Sequence, residues 1–331
     1  MNHFVGIGYN RPFSIARNVR VTFIDAGHIL GSAITVLDIE RDGNTFRITF
    51  TGDLGRKNLP VIRDPVQLYV TDIYITESTY GNKTHEPIAD TKANLREIVN
   101  STVDRGGKII VPSFSLGRTQ ELVYVLHELF NEGDLPEIPI FVDSPLSVNV
   151  TDVFRLHPEC FDEETRKNFL SNRQDPFGFS RLQYIREVEE SKKLNTFKKP
   201  CIIISASGMC EAGRILHHLA NNIHDSRNTV LIVGFMAENT LGRRLVERKS
   251  VVKIFGEEIP LKAQVAIMNG FSAHADRNEL ITYFDGLKKQ RLQHVFIVHG
   301  ELDHSEGLAE GLRDKGWDRV SIPTRGERVQ L

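Results

Sequence analysis

With 331 residues, 40% of them apolar and 25% charged, the chain has the make-up of a folded globular protein of about two domains. A formal net charge of −2 excludes a globally basic nucleic-acid binder, so any contact with a polyanion has to be made by a local patch. Cys160, Cys201 and Cys210 show no C-x-x-C spacing and read as thiols of a reducing compartment, expected to be the cytoplasm. No apolar run is long enough to span a membrane, and residues 1–6 have neither the charged nor the apolar region of a signal peptide.

In chain order, residues 21–25, 34–39 and 46–51 are rich in β-branched and aromatic residues and predict strands, with a hairpin turn at Arg41-Asp42-Gly43-Asn44. Residues 73–76 predict a buried strand running into Glu77-Ser78-Thr79-Tyr80-Gly81. From about residue 90 the pattern becomes strand, loop, helix. The run 108–111 is followed by Pro112-Ser113-Phe114-Ser115-Leu116-Gly117-Arg118 and by a helix with Leu122, Val125, Leu126, Leu129 and Phe130 on one face. Similar units begin at 138–142, 201–205 and 230–234, which predicts a mostly parallel, doubly wound sheet. Residues 146–195 predict charged helices with a break at 175–178. Strands follow at 263–268, 295–298 and 320–322, and helices at 277–287 and 305–314.

His and Asp residues recur where strands end. His28 lies in Asp25-Ala26-Gly27-His28-Ile29-Leu30-Gly31-Ser32, Asp53 in Thr51-Gly52-Asp53-Leu54-Gly55, and His299 in Val298-His299-Gly300-Glu301. Small neighbours let the backbone come close and expose the imidazole or carboxylate, as a catalytic metal site requires. Taken singly, each such His is more simply a structural or surface residue. Glu77 and His274 form a natural carboxylate–imidazole pair for a general acid, although spacing alone does not bring them together. His127, His217 and His218 read as helix residues. Ser113, Ser115, Ser205, Ser207 and Arg118 stand at the starts of helices that follow strands, where N–H groups bind phosphate or serine simply caps the helix. No Walker A or G-x-G-x-x-G string supports a nucleotide cofactor.

These strings together resemble the β-CASP nucleases of the metallo-β-lactamase superfamily, in the branch of the cleavage and polyadenylation specificity factor nuclease. The resemblance runs from about residue 5 to the end. It implies an α/β fold: a partial metallo-β-lactamase αββα sandwich with an inserted doubly wound parallel-sheet β-CASP domain. The metallo-β-lactamase parts are expected at 1–90 and 256–331 and the inserted cassette, a roof to the active site, at 91–255. By the same resemblance His28, Asp53 and His299 are zinc ligands, Asp53 bridging two ions, and His274 is the general acid oriented by Glu77. Arg118, Ser113, Ser115, Ser205 and Ser207 then hold the RNA backbone. The expected partners are single-stranded RNA of little sequence preference and, as a further option, a second copy of the chain in a homodimer.

The H-x-H-x-D-H string that family members carry upstream is absent from these 331 residues. Three ligands shared between two ions hold them poorly, so the expectation for this chain is a zinc-dependent ribonuclease of weak activity. A non-catalytic subunit of an RNA-processing nuclease and a small-ester metallohydrolase are the alternatives. Inactive family subunits usually lose the ligands kept here, and small esters need no inserted cassette.

Overall fold

The computed structural model describes residues 4–171 and 175–330, and the opening residues 1–3, the segment 172–174 and Leu331 lie outside the described part. The expectation of no signal peptide therefore falls partly on undescribed residues. Contacts divide the chain into two compact units, residues 1–85 with 273–331, and residues 86–272.

The first unit opens with β1 (Phe13–Ala16), β2 (Val19–Asp25), β3 (Ala33–Arg41), β4 (Asn44–Phe50) and β5 (Ile73–Thr76). The strands β1 to β4 form an antiparallel meander. Arg41 pairs with Asn44 across a two-residue turn whose Asp42 and Gly43 both have positive φ, 51° and 76°. This is the Asp-Gly turn that matches the twist of the flanking strands.

The second unit follows with α1 (Ile88–Asp104), β6 (Ile109–Pro112), α2 (Arg118–Asn131), β7 (Ile140–Asp143), α3 (Pro145–Leu156), α4 (Glu163–Ser171), β8 (Leu182–Ile185), α5 (Val188–Thr196) and β9 (Ile202–Ser205). It continues with α6 (Arg214–Asn222), β10 (Thr229–Ile232), α7 (Leu241–Val246), a hairpin of β11 (Val251–Ile254) and β12 (Glu257–Pro260), and β13 (Gln264–Ile267). Its sheet has the order β13-β10-β6-β9-β7-β8, and every pairing in it is parallel. The connection through α2 steps across this sheet in one direction, and those through α6 and α7 step in the other. Right-handed crossovers therefore put α2 on one face and α6 and α7 on the opposite face, as the repeated strand–helix units predict. Helix α1 lies with α2, tied by Lys92 to Glu128 and Glu132 and by Arg96 to Asp134.

Chain 273–331 returns to the first unit with α8 (Arg277–Tyr283), β14 (His294–Ile297), α9 (Leu302–Asp314) and β15 (Val320–Ser321). Its sheet has the order β1-β2-β3-β4-β5-β14-β15, with β5, β14 and β15 parallel. Leu280, Ile281, Tyr283, Leu308 and Leu312 of α8 and α9 bury against Ile34, Val36, Tyr74 and Ile297 of the strands.

Two differences from the sequence expectation have clear causes. The division expected at 255/256 falls inside the second unit, because β13 continues that unit's sheet beside β10. The helical reading of 146–195 misses β8, an edge strand that buries only Ile185 fully and so carries little apolar signal. Among the described residues no helix is long and apolar enough to cross a membrane.

Candidate metal centre and acid pair

Three loops of the first unit are laced together backbone to backbone. Gly55 N–H donates to the Ala26 carbonyl at 2.8 Å, Ala275 N–H to Leu54 at 2.8 Å, and Arg56 N–H to Ala273 at 3.2 Å. A side chain at position 55 would put its first carbon 1.8 Å from the Gly27 carbonyl oxygen, so only glycine permits this approach. The loop after β14 is fastened in the same way. Ser78 N–H donates to the His299 carbonyl at 3.1 Å, and Ser78 Oγ donates to Val298 O at 3.1 Å. His299 itself is held at φ 52°, a conformation that costs a non-glycine residue energy and aims its ring.

The lacing gathers the residues that the sequence singled out. Asp53 Oδ2 lies 3.7 Å from His28 Nε2, and Asp53 Oδ1 lies 3.5 Å from His299 Nε2. His274 offers a ring nitrogen within 4.8 Å of the donors of His28 and Asp53, and the His28 and His274 rings are 4.3 Å apart. His28 is buried, and its Nδ1 makes no hydrogen bond of normal geometry. Burial first, and then the neighbouring His274, hold His28 below the ordinary imidazole value, against the pull of the Ala273 carbonyl, Asp53 and Glu77. A neutral imidazole is the form that binds metal.

These donors fit a zinc ion. Two ligands of a tetrahedral ion, each about 2.0–2.1 Å from it, stand about 3.3 Å apart, longer than a good hydrogen bond and close to the separations seen here. The carboxylate also turns a different oxygen to each imidazole, which suits a group shared between two binding positions.

Glu77 and His274 meet. His274 Nδ1 lies 3.1 and 3.0 Å from the two carboxylate oxygens of Glu77. Glu77 is buried and also accepts hydrogen bonds from Leu54 N–H at 2.6 Å and from the Thr79 hydroxyl. Burial works to raise its pKa, but the bond and charge of His274, the Thr79 hydroxyl and the Leu54 N–H outweigh it, and the carboxyl titrates below its ordinary value. His85 Nε2 lies 3.1 Å from the His274 carbonyl, and its backbone N–H donates to Asp276 Oδ2 at 2.9 Å. Sequence reading missed the Leu54, Thr79 and His85 contacts. The D-x-x-E string Asp276–Glu279 was readable as a signal, since it forms a capping box at the start of α8 and fixes the loop that carries His274.

The five positions expected to hold RNA lie in the second unit. Ser113 and Ser205 are buried, and their hydroxyls serve the protein: Thr119 Oγ1 donates to Ser113 Oγ at 3.1 Å, and Ser205 Oγ donates to the Asp143 carbonyl at 2.7 Å. They brace the strand ends. Arg118 lies against Glu121, 2.7 Å from its Oε2, with its guanidinium over Phe271 at 5.9 Å, so its charge is largely balanced. Ser115 and Ser207 are half-buried, and Ser207 Oγ accepts Glu211 N–H at 3.2 Å. His218, expected on a helix face, is buried and bonded to Asp143 at 2.6 Å. Cys201 and Cys210 are buried and free, their thiols pushed up to about 12 by burial, while Cys160 is only partly buried.

Residues 119–245 match the Beta-Casp domain, and residues 258–323 match the Zn-dependent metallo-hydrolase RNA specificity domain. The chain is 34% identical to a ribonuclease of Thermus thermophilus over 98% of its own length and 74% of the relative's. It is 31% identical to a transcription termination factor of Methanosarcina mazei, of which it spans 53%, and 29% identical to an endoribonuclease of Mycosarcoma maydis, of which it spans 35%. With its metal-type donors, its α/β architecture and these matches, the chain belongs to the β-CASP family of metallo-β-lactamase hydrolases.

Proposed function

We propose that the chain is a metal-dependent nuclease that hydrolyses phosphodiester bonds of single-stranded RNA, with little sequence preference, in the cytoplasm. The observation that carries the reading is the meeting, in one unit, of His28, Asp53 and His299 with the Glu77–His274 pair. His28, Asp53 and His299 would hold zinc, which supplies a Lewis acid for the phosphoryl oxygens and a water acidic enough to attack at neutral pH. The two faces of Asp53 support a pair of zinc ions over a single one.

The protein's own residues do the rest. Glu77, kept as a carboxylate, accepts the Nδ1 proton of His274 and so fixes the ring's tautomer and orientation. The opposite nitrogen then carries a proton to the leaving ribose oxygen. Thr79 and Leu54 hold Glu77, and His85 holds the main chain of His274. Ser115, Ser207 and Arg118 contact the RNA backbone on the second unit, which makes binding sensitive to salt. The chain also pairs with a second copy of itself in this reading.

The test is zinc titration of the purified chain with RNA cleavage measured alongside. Asp53-dependent zinc binding with cleavage that follows zinc occupancy is the expected result. Zinc binding indifferent to Asp53→Ala would refute the ligand assignment, and no cleavage at saturating zinc would refute the nuclease assignment.

A further inference from the structure

In the first unit the loops that lead into the parallel strands β14 and β15 close a pocket of about 260 Å³. It lies at the start of β14, and His299 follows that strand's other end. Trp317 forms one wall. Its backbone N–H donates to the Leu312 carbonyl at 3.0 Å, and its indole meets the buried Phe284 edge to face at 5.6 Å, so the ring is fixed while staying half-buried. Lys289 Nζ lies over the indole at 5.5 Å. His294 forms the strand side, its ring stacked on Phe296 at 4.5 Å and its Nε2 2.8 Å from Ser321 Oγ. Burial first, and then the Arg319 guanidinium, hold His294 below the ordinary imidazole value, so it adds no charge near neutral pH. Lys289 and Arg319 therefore stand as two cations against one lining carboxylate, Asp318, and among the described residues none of the three is in an ion pair.

We propose that this pocket is a nucleotide site, in which an aromatic base stacks on Trp317 and the phosphate beside it takes Lys289 and Arg319. The inference goes beyond the proposed cleavage and does not depend on it. An indole offers any base a face to stack on. A guanidinium fork and an ammonium beside it suit a phosphate group. A neutral aromatic ligand would leave both cations unused, and a bare anion would leave the indole unused. A nucleotide carries both groups side by side. The volume lies just under that of pockets for drug-sized ligands, so it admits one nucleotide and no longer strand. The contact of Lys289 with the indole is of the weak, exposed kind, so the ammonium passes to the phosphate as the base takes its place. The nucleotide comes either free or as one unit of a bound RNA strand.

Trp317 is the only tryptophan of the sequence, so its emission reports on this pocket alone. The test is that emission, excited beyond the tyrosine band, in the full chain with a chelator added to keep RNA intact. 5′-AMP is expected to quench it saturably, about tenfold or more tightly than inorganic phosphate or than adenosine, which absorbs the same light. Lys289→Gln and Arg319→Gln should each weaken binding about tenfold, because each removes a charge-assisted bond from exposed positions that the fold does not need. An adenosine oligonucleotide identifies the source. Quenching by the oligonucleotide and not by 5′-AMP assigns the pocket to a bound strand, and quenching by 5′-AMP that the oligonucleotide does not displace assigns it to free nucleotide. No saturable quenching by either up to about 10 mM, or quenching undiminished in the double variant Lys289→Gln/Arg319→Gln, overturns the site. Binding is read without metal, so failure of the nuclease assignment would leave this result standing, and the reverse.

Discussion

The two units each contain a buried carboxylate bonded to an imidazole, and the contrast between the pairs separates chemistry from architecture. In the second unit Asp143 and His218 are both fully buried, and the carboxylate is saturated: His218 Nε2 at 2.6 Å, Ser191 Oγ at 2.5 Å and Arg214 Nη1 at 2.7 Å all bond to it. In the first unit Glu77 is as deeply buried, but the side chain of its partner His274 is 24% exposed and stands beside His28 and Asp53. Both carboxyls titrate below their ordinary values. A low pKa therefore does not mark the functional pair. What marks it is a partly exposed partner imidazole that stands beside the metal-type donors His28 and Asp53.

Two substitutions break this comparison in opposite ways. Asp143→Ala leaves Arg214 and His218 with a missing partner in a dry site and should cost the second unit about 3–5 kcal/mol, read as a lower urea midpoint, while zinc bound per folded molecule stays the same. Asp53→Ala removes a half-exposed carboxylate and should change stability by less than about 0.5 kcal/mol, while zinc affinity falls by more than the roughly 10–100-fold that loss of a supporting group costs. If Asp143→Ala abolished zinc binding and Asp53→Ala melted the fold, the roles assigned to the two regions would be reversed.

How far each region was legible in the sequence follows from how local its determinants are. The Asp-Gly hairpin and the repeated strand–helix units of the second unit are written in short-range patterns, and the structure shows both. His28, Asp53, Glu77, His274 and His299 were picked out because each sits in a loop of small residues at a strand end. That Asp53 stands between two imidazoles is long-range geometry that no spacing contains. The contacts of the serine hydroxyls were least legible. A serine after a strand looks the same whether it faces solvent, as Ser207 partly does, or braces the sheet as Ser205 does, because the difference lies in a neighbour, Asp143, far away in the chain. His218 lies on α6 as expected, but its partner Asp143 lies outside any helical period.

Acid sharpens the comparison further. Burial first, and then Arg56, push His85 down to about 4, and burial and His274 lower His28. A base whose folded pKa is depressed contributes stability that is complete above the unfolded value of about 6.5 and is lost as pH falls toward the folded value. The first unit should therefore begin to lose stability below about pH 6.5, and most of the His85 part should be gone by pH 4. Glu77 then adds a loss at lower pH still, because its own folded pKa lies below that of a free carboxyl. The second unit should hold until Asp143 protonates, below the ordinary aspartate range. Hydrogen exchange followed unit by unit between pH 7 and 4 checks the order, and His85→Gln should flatten the first unit's early loss. Simultaneous loosening of both units from pH 6.5 would remove the distinction.

The smallest expected effect concerns the bond that orients the acid pair. The Thr79 hydroxyl donates to Glu77, beside the Leu54 N–H and His274. Thr79→Val keeps the shape and deletes only that donor, which should cost about 1 kcal/mol of stability. If Glu77 serves only to hold the loop, that loss is the whole consequence. If it also sets the protonation of His274, losing one donor raises the Glu77 pKa. The carboxylate then weakens as a partner, and the acid limb of the cleavage profile moves to higher pH. Thr79→Ser keeps the donor and should restore the native profile. An unshifted limb in Thr79→Val would confine Glu77 to the role that Asp143 plays in the other unit.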